Sequence, residues 1–457
     1  MRTIHRSEPP WAHRVLILGG GFAGVETARH LERLTRGRDD VEVWLVNREN
    51  FTLFTPLLPE VCSGLLEARH CVTALRAQLR RPSSWAITAT VEAIDLDAHQ
   101  VSVMGGDREL HRLNYDTLVL ALGGETATFG IPGITDYTVG MKTLADAFAL
   151  RNRLIEMLER AEFETDPAER RALLTFVVGG AGFSGVETAG EIEDFVRRVR
   201  RRYYPKIRAD EIRCYLMELK DRVLPEMPPE MGDYTARKLA RRGFEIRVGT
   251  PIREVREDGV VIGEGETIPS RTVIWTGGVR PSHVVAESGI EVDRAGRAVV
   301  APTMQTSREE VFALGDCAWI PEVDEPSRAH APTAQNAVRE GKRLARNIMA
   351  RIDGRPESME PFRYEPIGTL ASIGRYTGVG EVFGIRVRGL IAWVMWRGYY
   401  WTRVPGVAGK LRVGFDWLLA LIFGSDPVQL KVDYPDTGGM GPSGSRRPRP
   451  RRVDPRA

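Results

Sequence analysis

Cysteine is scarce in this sequence. The four residues of 457, Cys62, Cys71, Cys214 and Cys317, show no C-x-x-C or C-x-x-x-x-C spacing. That gives no support to paired-thiol redox chemistry or to a zinc site, and it fits a reducing compartment. Long apolar runs are also missing. The longest late in the chain, Trp417 to Phe423, falls far below the roughly 20 residues of a spanning helix. The opening residues, MRTIHRSEPPWAH, lack the apolar stretch of a secretory signal. The expectation is a chain that does not cross a membrane and stays on the cytoplasmic side. No Ser/His or Cys/His signature of nucleophilic catalysis is present, and no metal-ligand set is expected. Excess charge is lacking too. The net charge is +3, but residues 446–457 carry six Arg against one Asp, and without them the sum is −2. The body therefore makes no electrostatic case for nucleic acid.

What is abundant is glycine, 46 residues in a chain with an ordinary 42% of hydrophobic residues. The length implies two or three domains. Residues 14–18, RVLIL, form a continuous apolar run of the kind a doubly covered parallel strand shows. A Gly-rich turn, a helix to about Arg36 and the strand VEVWLVN (41–47) follow. The same order recurs at LTFVV (174–178), a Gly-rich turn, a helix from Ser184 and IRCYLMEL (212–219). Further strands are expected at 117–121, 272–276 and 311–314, and an amphipathic helix at 143–163.

Gly19, Gly21 and Gly24 make G-x-G-x-x-G between a strand and a helix, and Gly180, Gly182 and Gly185 repeat it. The first Gly permits the tight turn and the second lets the backbone approach a pyrophosphate. The third lets helix and strand pack closely. One copy alone also fits a turn required by sterics; two copies in the same context point to two dinucleotides. Glu218 closes the second unit, where its carboxylate would accept from an adenosine ribose and repel a 2′-phosphate, favouring NADH over NADPH. The equivalent position in the first unit is Asn47, which can accept one ribose hydrogen bond or simply end a strand. Arg48 beside it could reach a phosphate or stack on adenine.

LVLALGGETATFGIPG (118–133) and VFALGDCA (311–318) resemble the link segment and the second flavin motif of two-dinucleotide-binding flavoproteins. Within that superfamily, several stretches are similar to type II NADH:quinone oxidoreductases. They are NFTLFTPLLPEVCSG (50–64), MKTLADAFALRNRLIEMLERA with LLTFVVGGAGFSGVETAGEIEDF (141–195), RVLPEMPPEM (222–231), WTGGVRP (275–281), PTAQNAVREGKRLARNI (332–348) and GLIAWVMWRG (389–398). The resemblance implies an α/β fold with two Rossmann-like domains, for FAD and NADH, plus a small C-terminal membrane-associating module. The boundaries expected are 11–135 and 291–355 for FAD, 136–290 for NADH, 360–437 for the module and 438–457 for a disordered Arg-rich tail.

Carried over position by position, the resemblance puts FAD against Gly19, Gly21, Phe22, Ala23, Gly24, Asn47, Arg48, Gly123 and Asp316, with the last on the ribityl chain. It puts NADH against Gly180, Gly182, Phe183, Ser184, Gly185, Glu187, Glu218 and Gly278. Glu187 matches the family's Glu where nicotinamide meets flavin, and Gln335 its Gln on the quinone-facing side of the ring; both are the catalytic candidates. Either could instead be structural, Glu187 as a helix surface acid and Gln335 as a helix N-terminal polar residue. The reaction implied is hydride transfer from NADH to FAD, then two electrons to a membrane quinone without proton pumping. Trp393, Trp396, Tyr399, Tyr400 and Trp401, with Arg403, Lys410, Arg412 and FDWLLALIFG (415–424), suit a peripheral anchor on a bilayer surface. They equally suit a small domain core or a homodimer interface. The Arg197–Arg202 and 446–457 clusters read as solvated faces or tails. A sulfide:quinone oxidoreductase-like enzyme would need paired cysteines near the flavin, and a non-turnover NADH-binding redox sensor should have lost Glu187 or the Gly-rich turns.

Overall fold

Val15, Leu16, Ile17 and Leu18 are wholly buried, as a parallel strand covered on both faces requires. Their strand, His13–Leu18, pairs in parallel with Val41–Asn47 on one side and Thr117–Leu120 on the other. Ser84–Asp95 and Val311–Ala313 extend this parallel core outward, each again in parallel register. The computed structural model describes residues 2–3, 13–365 and 367–430. The expectation of no secretory signal in the opening residues and that of a disordered tail at 438–457 therefore concern residues largely or wholly outside the described ones.

Contacts divide the chain into two units. The first comprises Met1–Phe54, Val72–Thr126 and Val279–Ile367; the second comprises Thr55–Cys71, Ala127–Gly278 and the residues from Gly368 onward. In the first unit the Phe22–Leu34 helix follows the central strand and packs against the helix Ala334–Ile352. The crossing is tight because Gly341 has no side chain: a Cβ there would lie 2.8 Å from the Ala23 carbonyl oxygen.

The second unit repeats the plan. Its five parallel strands run in the order Thr138–Gly140, Thr272–Trp275, Thr175–Gly179, Arg213–Met217, Phe244–Arg247. The helix Leu144–Phe163 begins where expected because Thr143 and Asp146 close a reciprocal capping box, Thr143 Oγ1 accepting from Asp146 N–H at 3.1 Å and Asp146 Oδ2 from Thr143 N–H at 2.8 Å. The helix Phe183–Tyr203 leaves the second Gly-rich turn. From Gly368 the chain adds a three-stranded antiparallel sheet, Gly368–Ser372, Gly378–Val382 and Ile385–Gly389, and two helices, Leu390–Arg403 and Val407–Phe423.

Candidate active site

Each Gly-rich turn lies directly beyond the C-terminal end of its strand. Gly19 and Gly180 adopt φ of +110° and +103°, open to glycine and strained for other residues. The third glycine of each motif is also demanded by the protein itself: a Cβ at Gly24 would stand 1.9 Å from the Gly19 carbonyl oxygen, and one at Gly185 1.9 Å from that of Gly180. The middle glycines are different. Gly21 and Gly182 have ordinary φ of −77° and −72°. A Cβ at Gly21 would meet no atom within 4 Å, and one at Gly182 only the Glu226 carboxylate, at 3.6 and 3.8 Å. Nothing in the chain requires glycine at these two positions, and a pyrophosphate drawn against the backbone would. The residues present therefore fit a dinucleotide in each cradle.

The two strand-end side chains brace the turns. Asn47 Oδ1 accepts from Gly20 N–H at 2.8 Å, while its Nδ2 donates to the Glu49 carbonyl at 2.8 Å. Glu218 follows its strand by one residue and does the same work: Oε2 accepts from Ala181 N–H at 2.6 Å and Oε1 from Lys220 N–H at 2.9 Å. Each carboxylate oxygen keeps a lone pair for a ribose hydroxyl.

Phe22, half-buried, packs edge-to-face on Phe54 with centroids 5.7 Å apart, and Ala23 is buried. Arg48 is exposed and pairs with Glu49 at 3.7 Å. Gly123 and Gly278 both sit at positive φ, +66° and +152°. Phe183 is half-buried and Ser184 exposed at the start of their helix. Asp316 lies in a single helical turn, Gly315–Cys317, whose Gly315 N–H donates at 2.9 Å to Glu340 Oε2. Glu340 was not anticipated from the sequence; its carboxyl is pushed up to about 7 by burial. Gln335 is the second residue of the Ala334–Ile352 helix, and its Oε1 accepts from Tyr364 Oη at 3.2 Å. Gln335 and Glu187 belong to different units.

Glu187 is no surface acid. It is 8% exposed, and its Oε1 accepts from the Trp396 indole N–H at 2.7 Å and the Ser372 backbone N–H at 3.1 Å. Burial lifts its carboxyl to about 8, with those two donors pulling the other way and Glu60 adding to the rise. Glu60 and Glu191, neither singled out from the sequence, are each 2% exposed in the same unit. Glu60 accepts from Arg397 Nη2 at 2.7 Å and from the Trp417 indole at 2.5 Å. Glu191 accepts from Ser63 Oγ at 2.8 Å. Burial raises the Glu191 carboxyl to about 8 as well, so Glu187 and Glu191 are two buried carboxyls able to hold protons near neutrality, which is what general acid–base work needs.

The C-terminal aromatics divide between the two readings made from the sequence. Trp393, Trp396 and Trp417 face inward with Val413 and Ala420, and so are core residues. An outward stripe runs along both helices instead: Leu390, Ile391, Val394 and Trp401, then Val407, Leu411, Phe415, Leu418 and Ile422, the last 65% exposed. On the second helix its steps are of three or four residues, the helical spacing. Among the described residues no helix is long and apolar enough to cross a membrane. All four cysteines are free and buried, with burial raising every thiol, so none is a ready thiolate.

Two dinucleotide cradles on parallel sheets define a pyridine-nucleotide flavoprotein. Residues 13–341 match the family described as pyridine nucleotide-disulphide oxidoreductase. The chain is 31% identical to the type II NADH:quinone oxidoreductase Ndh of Mycobacterium tuberculosis, over 91% of its own length and 89% of the relative's. It is 32% identical to the internal alternative NAD(P)H-ubiquinone oxidoreductase A1, mitochondrial, of Arabidopsis thaliana, over 90% and 85%. Its fold superposes on NDH2 of Plasmodium falciparum, solved in complex with NADH, with a TM-score of 0.83 at 19% identity, covering 91% of this chain and 99% of that one. The chain belongs to the type II NADH:quinone oxidoreductases, within the pyridine nucleotide-disulphide oxidoreductase family. It is thus an FAD-dependent enzyme of NADH and quinone.

Proposed function

We propose that this enzyme works as a peripheral membrane protein, with Glu187 as the acid that yields and regains a proton during quinone reduction and Glu218 as the group that selects NADH. A bound FAD would supply the acceptor for a hydride equivalent from the nicotinamide and the donor of two electrons to the quinone. The chain's own task is to hold the two dinucleotides and to manage protons. The Gly19–Gly24 turn, with Asn47 bracing it, would hold the FAD pyrophosphate, and Asp316, its turn tied to Glu340, the ribityl chain. The Gly180–Gly185 turn would hold NADH, with the Glu218 carboxylate against the ribose. Glu187 is neutral at pH 7 and kept in one orientation by two donors, so it can give a proton without first finding a geometry. Gln335, its carbonyl tied to Tyr364, would offer its amide to the quinone.

The observation that carries this reading is the pair of cradles, each with a middle glycine that only a ligand requires, in a chain of this family. Anaerobic addition of NADH should bleach the flavin absorbance, and a short-chain quinone should restore it. Failure of the first step rejects the NADH assignment; failure of the second alone rejects the quinone.

Membrane attachment is supported by the outward apolar stripe. The second helix has 17 residues, about 26 Å at 1.5 Å per residue, and lying flat it would bury one face at the headgroup boundary. Around it stand cations: Arg202 donates to the Phe423 carbonyl, Arg375 to that of Leu421, and Lys410 and Arg412 lie on the helix itself. These suit a cytoplasmic leaflet with anionic lipid. Flotation with liposomes tests it, and a soluble dimer that ignores vesicles would assign the stripe to a second copy of the chain instead.

A further inference from the structure

Glu187 and Glu191 stand four residues apart on the Phe183–Tyr203 helix and so share a face. Gly190, between them, lets the backbone of Ile373 and Gly374 come in close; a Cβ there would lie 2.5 Å from Gly374 N. Glu60, on the short Leu58–Cys62 helix, bears electrostatically on both acids. Its partner Arg397 is fixed between two indole rings, 4.3 Å from the Trp393 centroid and 4.6 Å from that of Trp417. Of these three buried carboxyls, Glu60 is the one in ion-pair contact with Arg397, which bears on Glu191 besides. A single cation compensates one carboxylate, and an uncompensated charge in such surroundings is costly. The ion pair claims Glu60, and the other two acids are left to keep their protons.

The other charged and titratable groups do not change that count. Asp194, on the same helix, is paired with Arg242. Arg198, one turn further, is turned to Ser425 Oγ at 3.3 Å and favours a charged Glu191. The Cys62 thiol is buried beside Glu191 with Arg151 beyond it, and Tyr400 faces Glu187; burial keeps both protonated. Burial is also the main cause raising Glu191, followed by Glu60 and Asp194, with Ser63 and Arg397 opposing.

We infer that Glu191 is a second proton-holding group of the site, a positioning residue that acts on Glu187 from the same face of the helix. The inference rests on reading Glu187 as the acid that yields a proton in the reaction. When either acid ionises, its new negative charge tightens the other's hold on its proton, so the pair gives up one proton readily and keeps the second in reserve.

The test uses the full-length, flavin-loaded enzyme with a water-soluble quinone, comparing Glu191→Gln, Glu187→Gln and wild type across pH. In Glu191→Gln the alkaline limb of turnover should move down by about one pH unit, because Glu187 no longer feels the second acid's charge. Infrared difference spectra should lose one of the two protonated-carboxyl bands that titrate in wild type. If Glu187→Gln slows turnover while Glu191→Gln leaves both limb and bands in place, the inference is overturned and the role of Glu187 stands. If Glu187→Gln leaves turnover and its pH dependence unchanged, the reading of Glu187 falls instead, and the inference with it. Should Glu191→Gln not fold, Ser63→Ala replaces it. Loss of that hydrogen bond must shift a protonated-carboxyl band, and an unshifted spectrum contradicts a protonated Glu191.

Discussion

The indole N–H of Trp396 donates to Glu187 Oε1 at 2.7 Å, joining the helix of the second Gly-rich turn to a helix more than 200 residues further along the chain. The bond orients a carboxyl that burial keeps protonated, and it gives Glu187→Gln a definite expectation. Turnover with quinone should fall by roughly 10²-fold, with flavin content unchanged, since Glu187 is not among the residues assigned to hold FAD. Stopped-flow separates the two half-reactions; unchanged rates in both would make Glu187 a structural acid.

The same residue makes stability depend on pH. Its carboxyl lies at about 8 in the folded chain against 4.5 unfolded, so the native state binds more protons between those values. Stability is therefore fully present below about 4.5 and is lost as pH rises through about 8. Glu191 and Glu340 are raised and act with the same sign. The melting temperature of Glu187→Gln should decline less steeply across this window than that of wild type. Parallel slopes would show that Glu187 is charged in the fold.

Glycine substitutions separate fold from cofactor. Gly24→Ala drives a Cβ to 1.9 Å from the Gly19 carbonyl oxygen and should destabilise the first unit by about 1–3 kcal/mol and lose flavin. Gly21→Ala meets nothing in the chain, so the protein should melt as wild type does while holding at least about tenfold less FAD. Normal FAD content in Gly21→Ala would contradict the placement of the pyrophosphate.

For the membrane stripe, Leu411, Phe415, Leu418 and Ile422 are the residues to replace with Ser or Gln, and Trp417 is to be left alone. Each side chain contributes about 1.5 kcal/mol or more when buried, so partition onto vesicles should fall by at least about 10²-fold, with activity toward a water-soluble quinone retained. Trp417→Phe should do the opposite. It leaves the stripe intact but removes a donor from Glu60, at about 1.5–3 kcal/mol of stability.

Local patterns account for what could be read beforehand. The strands at 14–18 and 41–47, both Gly-rich turns, the strand-end acid at Glu218 and the helix at 143–163 announce themselves through apolar runs, glycine spacing and apolar residues at helical spacing. Glu60, Arg397 and Trp417 do not. Their contacts join residues 337 and 357 apart, and nothing within either segment marks an acid destined for burial. The C-terminal tryptophans were legible in part. Their composition suits an interface, but helical phase decides which side they face. Val413, Trp417 and Ala420 fall on one side and Leu411, Phe415, Leu418 and Ile422 on the other.

Steady-state oxidation of NADH and of NADPH by the flavin-loaded enzyme, each with a short-chain quinone, tests the central claim most directly. The predicted result is quinone-dependent NADH oxidation at least about tenfold more efficient (kcat/KM) than with NADPH, equivalent to about 1.4 kcal/mol, and relaxed in Glu218→Ala by loss of the ribose-side carboxylate. NADH oxidation indifferent to quinone would contradict the assigned reaction, and equal use of NADPH by wild type would contradict the role of Glu218.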